Sequence, residues 1–78
     1  MLHRTLIQCA ERLRAGLPIG AAMAEGRGTI ERAGFAVDYL EARHAETLAP
    51  IGALSDGPVR LLVAAKLGRT RLIDNIGV

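Results

Sequence analysis

Seventy-eight residues, half of them hydrophobic and 23% charged, bound the chain to one small globular domain, neither disordered nor fibrous. A chain near this size buries only about 60% of the surface its unfolded form exposes, so its core has little margin. The net charge of +2 and pI of 9.3 are mildly basic, and the arginines are spread along the chain among Glu and Asp, which argues against a nucleic-acid binder.

Residues 2–15 predict an amphipathic helix. Leu2, Leu6, Cys9, Ala10, Leu13 and Leu17 follow one stripe, with Arg4, Gln8, Glu11, Arg12 and Arg14 off it. Glu11 and Arg14 are spaced as a weak helix-supporting pair. Gly16 is a stop signal, and Pro18 suits the first turn of a second helix. Ile19, Ala22, Met23, Gly26, Ile30 and Ala33 form the second stripe, closed by Gly34. Gly26 lies on that stripe and allows close approach of another backbone; Gly28 has no such reason and marks a possible break. The short Gly16-Leu17 link favours an antiparallel helical hairpin.

At Phe35 the period changes from helical to alternating. Val37, Tyr39 and Glu41 alternate with Asp38, Leu40 and Ala42, predicting a strand to Arg43 with mixed faces. Residues 45–48 make a single turn. Pro50, Gly52 and Ser55-Asp56-Gly57-Pro58 mark a loop ending in a tight turn. The last stretch, 58–78, is a hairpin: Val59, Leu61, Val63, Ala65 and Leu67 alternate with Arg60, Leu62, Ala64 and Lys66, Leu67-Gly68-Arg69-Thr70 turns, and 71–78 returns. The predicted fold is α+β, a helical hairpin packed on a small three-stranded antiparallel sheet in the order α-α-β-β-β.

Chemistry is sparse. Gly26-Arg27-Gly28 lacks the third glycine and preceding strand of a dinucleotide loop, since Glu31 stands where glycine is needed, and no phosphate-loop motif occurs. His3, Cys9 and His44 lack zinc-ligand spacing; His3 is placed on a helix surface and His44 at a strand end. The one cysteine excludes an internal disulfide and fits a reducing compartment, and on its apolar stripe it reads as a small core residue. The single serine, Ser55, sits in a turn rather than a nucleophile elbow. Asp74, in an otherwise apolar strand, is expected to pair across the sheet with Arg60 or Arg69. Lys66, Arg69 and Arg71 cluster at the hairpin turn, where exposed turn charge is the simple reading and an anion contact the alternative. No catalytic, cofactor-binding or metal residue is assigned. No apolar run reaches the roughly 18 residues of a membrane span, and the N-terminus lacks a signal-peptide core, so a cytoplasmic protein without membrane or nucleic-acid partners is expected.

The closing hairpin, Arg60-Leu-Leu-Val-Ala-Ala-Lys-Leu-Gly-Arg-Thr-Arg-Leu-Ile-Asp-Asn-Ile76, closely resembles the C-terminal end of the pantoate–β-alanine ligase (pantothenate synthetase) family. Val37-Asp-Tyr-Leu-Glu41, Ala45-Glu-Thr-Leu-Ala-Pro50 and the Ala33-Gly34-Phe35 entry match the same family. The resemblance is strong from Gly34 to Ile76 and looser before it. One departure is His44, where the family commonly has Asp as a turn cap. The family's HIGH-like and KMSKS elements are absent.

The resemblance implies that residues 1–78 are the C-terminal lid domain, with the ATP-binding N-terminal domain absent. It implies an enzyme that, with ATP and Mg²⁺, adenylates pantoate and lets β-alanine attack the pantoyl adenylate, giving pantothenate, AMP and pyrophosphate on the route to coenzyme A. The partner implied is the chain's own catalytic domain within a homodimer that associates largely through that domain. The lid moves by a hinge, is inactive and cofactor-free alone, and presents Lys66, Arg69 and Arg71 at the cleft or its rim. The alternative is a free-standing interaction module sharing the fold. Leu62 and Ala64 make the second strand apolar on both faces, so the helices are expected to cover one face and the absent domain the other, leaving Leu62 and Ala64, or their neighbours on that face, more exposed here than a whole enzyme would.

Overall fold

In the structure, a computed structural model that describes residues 1–78 except the side chain of Ser55, the elements come in the expected order. They are α1 (Leu2–Arg14), α2 (Ile19–Arg32), β1 (Ala36–His44), a 3₁₀ turn (Leu54–Asp56), β2 (Val59–Leu67) and β3 (Thr70–Gly77).

Both helices end in the same way, and the cause is a glycine. Gly16 at φ +102° and Gly34 at φ +98° take the left-handed conformation that glycine adopts without steric cost. After α1, Gly16 N–H donates to Leu13 O and Leu17 N–H to Arg12 O; after α2, Gly34 N–H donates to Glu31 O and Phe35 N–H to Ile30 O. These double bonds satisfy carbonyls the helices would otherwise leave open and turn the chain sharply. Pro18 caps α2 from outside rather than sitting in its first turn.

The sheet order is β1-β2-β3, antiparallel throughout, with α2 over β1 and α1 over β2 and β3 on the same face. Leu6, Ile30, Leu61 and Val63 are completely buried between the two layers. Gly26 leaves no room for a side chain between them: a Cβ added there would stand 2.6 Å from Cys9 Sγ and 2.8 Å from Leu40 Cδ2. The close approach at Gly26 is to side chains rather than to the backbone that was expected, and it joins α1, α2 and β1 at one point. Gly28 produces no break, and α2 runs through it unbroken.

Several expectations are corrected. Ala33 is exposed, because the helix has already ended. Thr5 joins the buried face of α1, its hydroxyl donating to Met1 O at 3.1 Å, so burial leaves no unmet polar group. Glu11 and Arg14 form no ion pair among the described residues; instead Arg12 reaches across to Glu25 with both Nε and Nη2, at 3.2 and 3.1 Å. Asp74 accepts from His3 Nδ1 at 3.2 Å, not from an arginine. The reason is parity: Asp74 lies on the helix side of β3 opposite Val63, whereas Arg60 lies on the other face, where its Nη1 donates to Asn75 Oδ1 at 2.6 Å. Residues 54–56 form a 3₁₀ turn that periodicity did not announce, its Asp56 Oδ2 accepting the Ala53 N–H at 3.1 Å.

Candidate functional site

The helices cover one sheet face and leave the other open. Alternation sends Tyr39, Glu41 and Arg43 of β1, Arg60, Leu62, Ala64 and Lys66 of β2, and Arg71, Ile73 and Asn75 of β3 to that open face. A bulge between Val37 and Tyr39 leaves Asp38 without a partner on β2. Its carboxylate crosses the sheet to accept from Arg71 Nε at 3.0 Å. The bulge thus adds an acid to a face that strict alternation would have denied it.

The middle of this face is apolar and its two ends are cationic. Ile73 is 68% exposed, Leu62 is half-buried, and Ala64 is fully buried. The expected exposure on this face is carried by the neighbour Ile73 rather than by Ala64, and the cause is local: Ala64's ladder partners Tyr39 and Ile73 are far larger and stand on either side of a single methyl. At one end Arg43 and Arg60 lie directly opposite each other, Arg43 held by Glu41 Oε2 (Nε at 2.9 Å) and Arg60 by Asn75. At the other end Lys66 and Arg71 are also directly opposite, with Arg69 exposed at the tip of the turn. Like charges placed directly across a ladder are unfavourable, yet this face carries two such pairs.

Four of the ten basic residues (Arg43, Arg60, Lys66, Arg71) and two of the eight acidic ones (Asp38, Glu41) thus share this surface, with Arg69 at its rim in the turn: +2 on the face against 0 on the rest of the chain. Basic residues that are dispersed in sequence are gathered in space. The three cations singled out from the sequence come together at the hairpin end. Arg43 and Arg60 were missed, although the alternation of β2 already put Arg60 and Lys66 on one face.

The remaining candidates stay apart. Among the described residues no three His, Cys, Asp or Glu side chains gather as a metal site. Cys9 is buried, its thiol 3.6 Å from Ala22 O, and burial, followed by the nearby Glu25 carboxylate, pushes its pKa above the ordinary value. A thiol held protonated this way is no nucleophile. Arg27 of the Gly-Arg-Gly sequence donates to Val37 O at 3.3 Å and pairs with Glu31, a structural use of that stretch. His44 does cap its turn: Nδ1 accepts the Glu46 N–H at 3.4 Å, a longer bond than a carboxylate normally makes there.

Comparison with known proteins bears on this arrangement. A family model described as pantoate-beta-alanine ligase matches residues 1–77. The pantothenate synthetase of Nitrobacter hamburgensis is 66% identical over 77 residues, and that of Rhodopseudomonas palustris strain HaA2 is 61% identical over the same length. Each comparison covers 99% of this chain but 27% of the relative, so the chain spans about a quarter of the length of the curated relatives it matches. A crystal structure of pantothenate synthetase from Thermus thermophilus superimposes with a TM-score of 0.82 at 33% identity, covering 96% of this chain and 27% of that one.

Proposed function

The chain belongs to the pantoate–β-alanine ligase family, and from that premise we propose that it is the C-terminal lid domain of such a ligase, closing over a catalytic domain supplied by the rest of the protein. The reaction assigned to the whole enzyme joins pantoate to β-alanine. ATP, as co-substrate, gives its adenylyl group to the pantoate carboxylate and releases pyrophosphate. The β-alanine amine then attacks the acyl carbon, displaces AMP and gives pantothenate.

This chain's own part is to exclude water, which would hydrolyse the acyl adenylate, and to bring cations to the rim of the cleft. Lys66, Arg69 and Arg71 suit that part: they project from the hairpin end of the face that the helices leave open, and only Arg71 has an acidic partner among the described residues. ATP and Mg²⁺ belong, in this reading, to the catalytic domain, and no residue of this chain is assigned to hold the cation. The enzyme works in the cytoplasm as a homodimer built largely from the catalytic domain, and the chain alone has no ligase activity.

The observation that carries this reading is the family match across residues 1–77. A chimera tests it. Residues 1–77 replace the matching 77 residues of the Nitrobacter hamburgensis synthetase, and ligase activity is measured. Retention of activity within about tenfold of the parent is expected, as for substitutions away from the reacting groups; a folded but inactive chimera would refute the assignment. Charge reversal of Lys66, Arg69 and Arg71 together in the active chimera is expected to lower kcat/KM by about tenfold or more, the scale on which misplaced positioning groups act. Unchanged kinetics would remove these three from the cleft.

A further inference from the structure

The two edges of the sheet are treated differently. The β1 edge is blocked at both ends. The bulge at Asp38 bends it, Arg27 occupies Val37 O at 3.3 Å, and the loop covers its far end through an Arg43–Pro50 bridge and a His44 N–H to Ala49 O bond of 2.8 Å. The β3 edge runs eight residues, Thr70–Gly77, without bulge or proline and in unbroken register with β2. Beside it lie Ile73, 68% exposed, and Leu72, 39% exposed. Such an edge is a template for another strand.

Which of its backbone groups are free follows from the turn. A two-residue turn with Gly68 at φ +62° makes Leu67 and Thr70 a hydrogen-bonded pair, so Thr70, Leu72, Asp74 and Ile76 face β2 and Arg71, Ile73, Asn75 and Gly77 face outward. The Val78 N–H to Val59 O bond of 2.9 Å has the same phase. One outward donor is already used: Asn75 N–H bonds to Asp74 Oδ1 at 2.8 Å. The central free groups are those of Arg71 and Ile73.

We propose that this edge pairs with the β3 edge of a second copy, in the antiparallel two-fold register centred on Leu72. Other registers fail on stated grounds. Centring on Arg71 or Asp74 opposes like charges, and centring on Ile73 requires the Asn75 N–H that Asp74 holds. Centred on Leu72, Arg71 of each copy exchanges both backbone bonds with Ile73 of the other, so four N–H groups find acceptors. Leu72 meets its own copy on the helix side, Ile73 lies along the aliphatic stem of the opposing Arg71, and the Thr70 hydroxyl faces the opposing Asp74 carboxylate.

A second feature falls on the same flank. His3 bonds Asp74, so this side of α1 overhangs β3, and Met1, His3, Arg4 and Ile7 line a shallow depression of about 600 Å³ there. Met1 is 52% and Ile7 40% exposed. A two-fold beside β3 brings the two α1 helices together at roughly the 8–10 Å of packed helices and covers both residues. The inference does not depend on the ligase reading and is tested on the chain alone.

Sedimentation of the chain is expected to show a monomer–dimer equilibrium. Ile73→Pro removes an outward N–H without touching the β2 ladder and is expected to weaken the dimer about tenfold or more, because two ladder bonds are lost per dimer. Ile73→Lys, an edge charge that every strand tolerates, is expected to do the same should the proline disturb folding. On mild oxidation Leu72→Cys is expected to cross-link faster than Ile73→Cys, the wild-type chain with its buried Cys9 serving as baseline. A chain that stays monomeric at about 1 mM, a dimer indifferent to both Ile73 variants, or faster cross-linking at position 73 would each overturn the proposal.

Discussion

At the scale of single residues, Cys9 shows how burial decides chemistry. Its spacing on the α1 stripe predicted a core position, and the structure adds the consequence: the folded state holds the thiol proton more tightly than the unfolded state does. The sign follows directly. Above the ordinary thiol value of 9.0 the unfolded chain loses this proton while the folded chain retains it, so stability falls as pH rises past that point. A Cys9→Ala chain is expected to lack that component of the alkaline decline in urea titrations. Iodoacetamide at neutral pH is expected to label the wild-type chain only as fast as it opens; rapid labelling of the folded protein would contradict the burial argument. Asp74 teaches a complementary point. Its need for a partner was legible from a polar residue in an apolar strand, but His3 lies 71 positions away and no spacing rule connects the two.

At the scale of elements, Gly26 and Gly28 inside α2 separate propensity from packing. Both weaken an isolated helix by about 1 kcal/mol relative to alanine. At Gly28 an added Cβ meets only Arg32 Nη1, at 3.1 Å, the far end of a mobile surface side chain. Gly28→Ala is therefore expected to stabilise the chain by roughly 0.5–1 kcal/mol. At Gly26 the same methyl collides with Cys9 Sγ and Leu40 Cδ2 in the packed interior. Gly26→Ala is expected to destabilise by about 1–3 kcal/mol despite the better propensity, since helix and sheet must move apart. Denaturant midpoints of the two variants should move in opposite directions, and a shared direction would show that packing at Gly26 does not decide the matter. The contrast was half visible beforehand: Gly26 falls on the apolar stripe and Gly28 does not.

At the scale of the whole molecule the charge distribution is what folding creates. Two cross-strand pairs of like charge on the open face, Lys66–Arg71 and Arg43–Arg60, cost the isolated chain stability. Lys66→Glu would turn one pair into an attraction and is expected to stabilise the isolated chain by roughly 0.2–1 kcal/mol at low salt, a gain that shrinks as salt is added. In the ligase chimera the same change is expected to lower activity. Stability and activity moving together would argue that Lys66 has only a local role.

The residue pattern was sufficient for the two helices, the three strands and their order, because each rests on local periods of 3.6 or 2 and on glycines that stop a helix in place. The family resemblance was likewise legible in the closing hairpin. That Arg43 joins the cations of the closing hairpin on one surface was not legible. That depends on the register of β1 against β2, and the register is reset by one unpaired residue, Asp38, whose bulge has no local signature. The burial of Ala64 is of the same kind, since a small side chain becomes buried through neighbours contributed by other strands. Periodicity is a property of one segment, whereas a face, an edge and a charge pattern are properties of several segments brought together. For this chain the sequence determined the elements and the family they resemble, and only the tertiary structure decided which residues stand side by side on the open face and which sheet edge remains free.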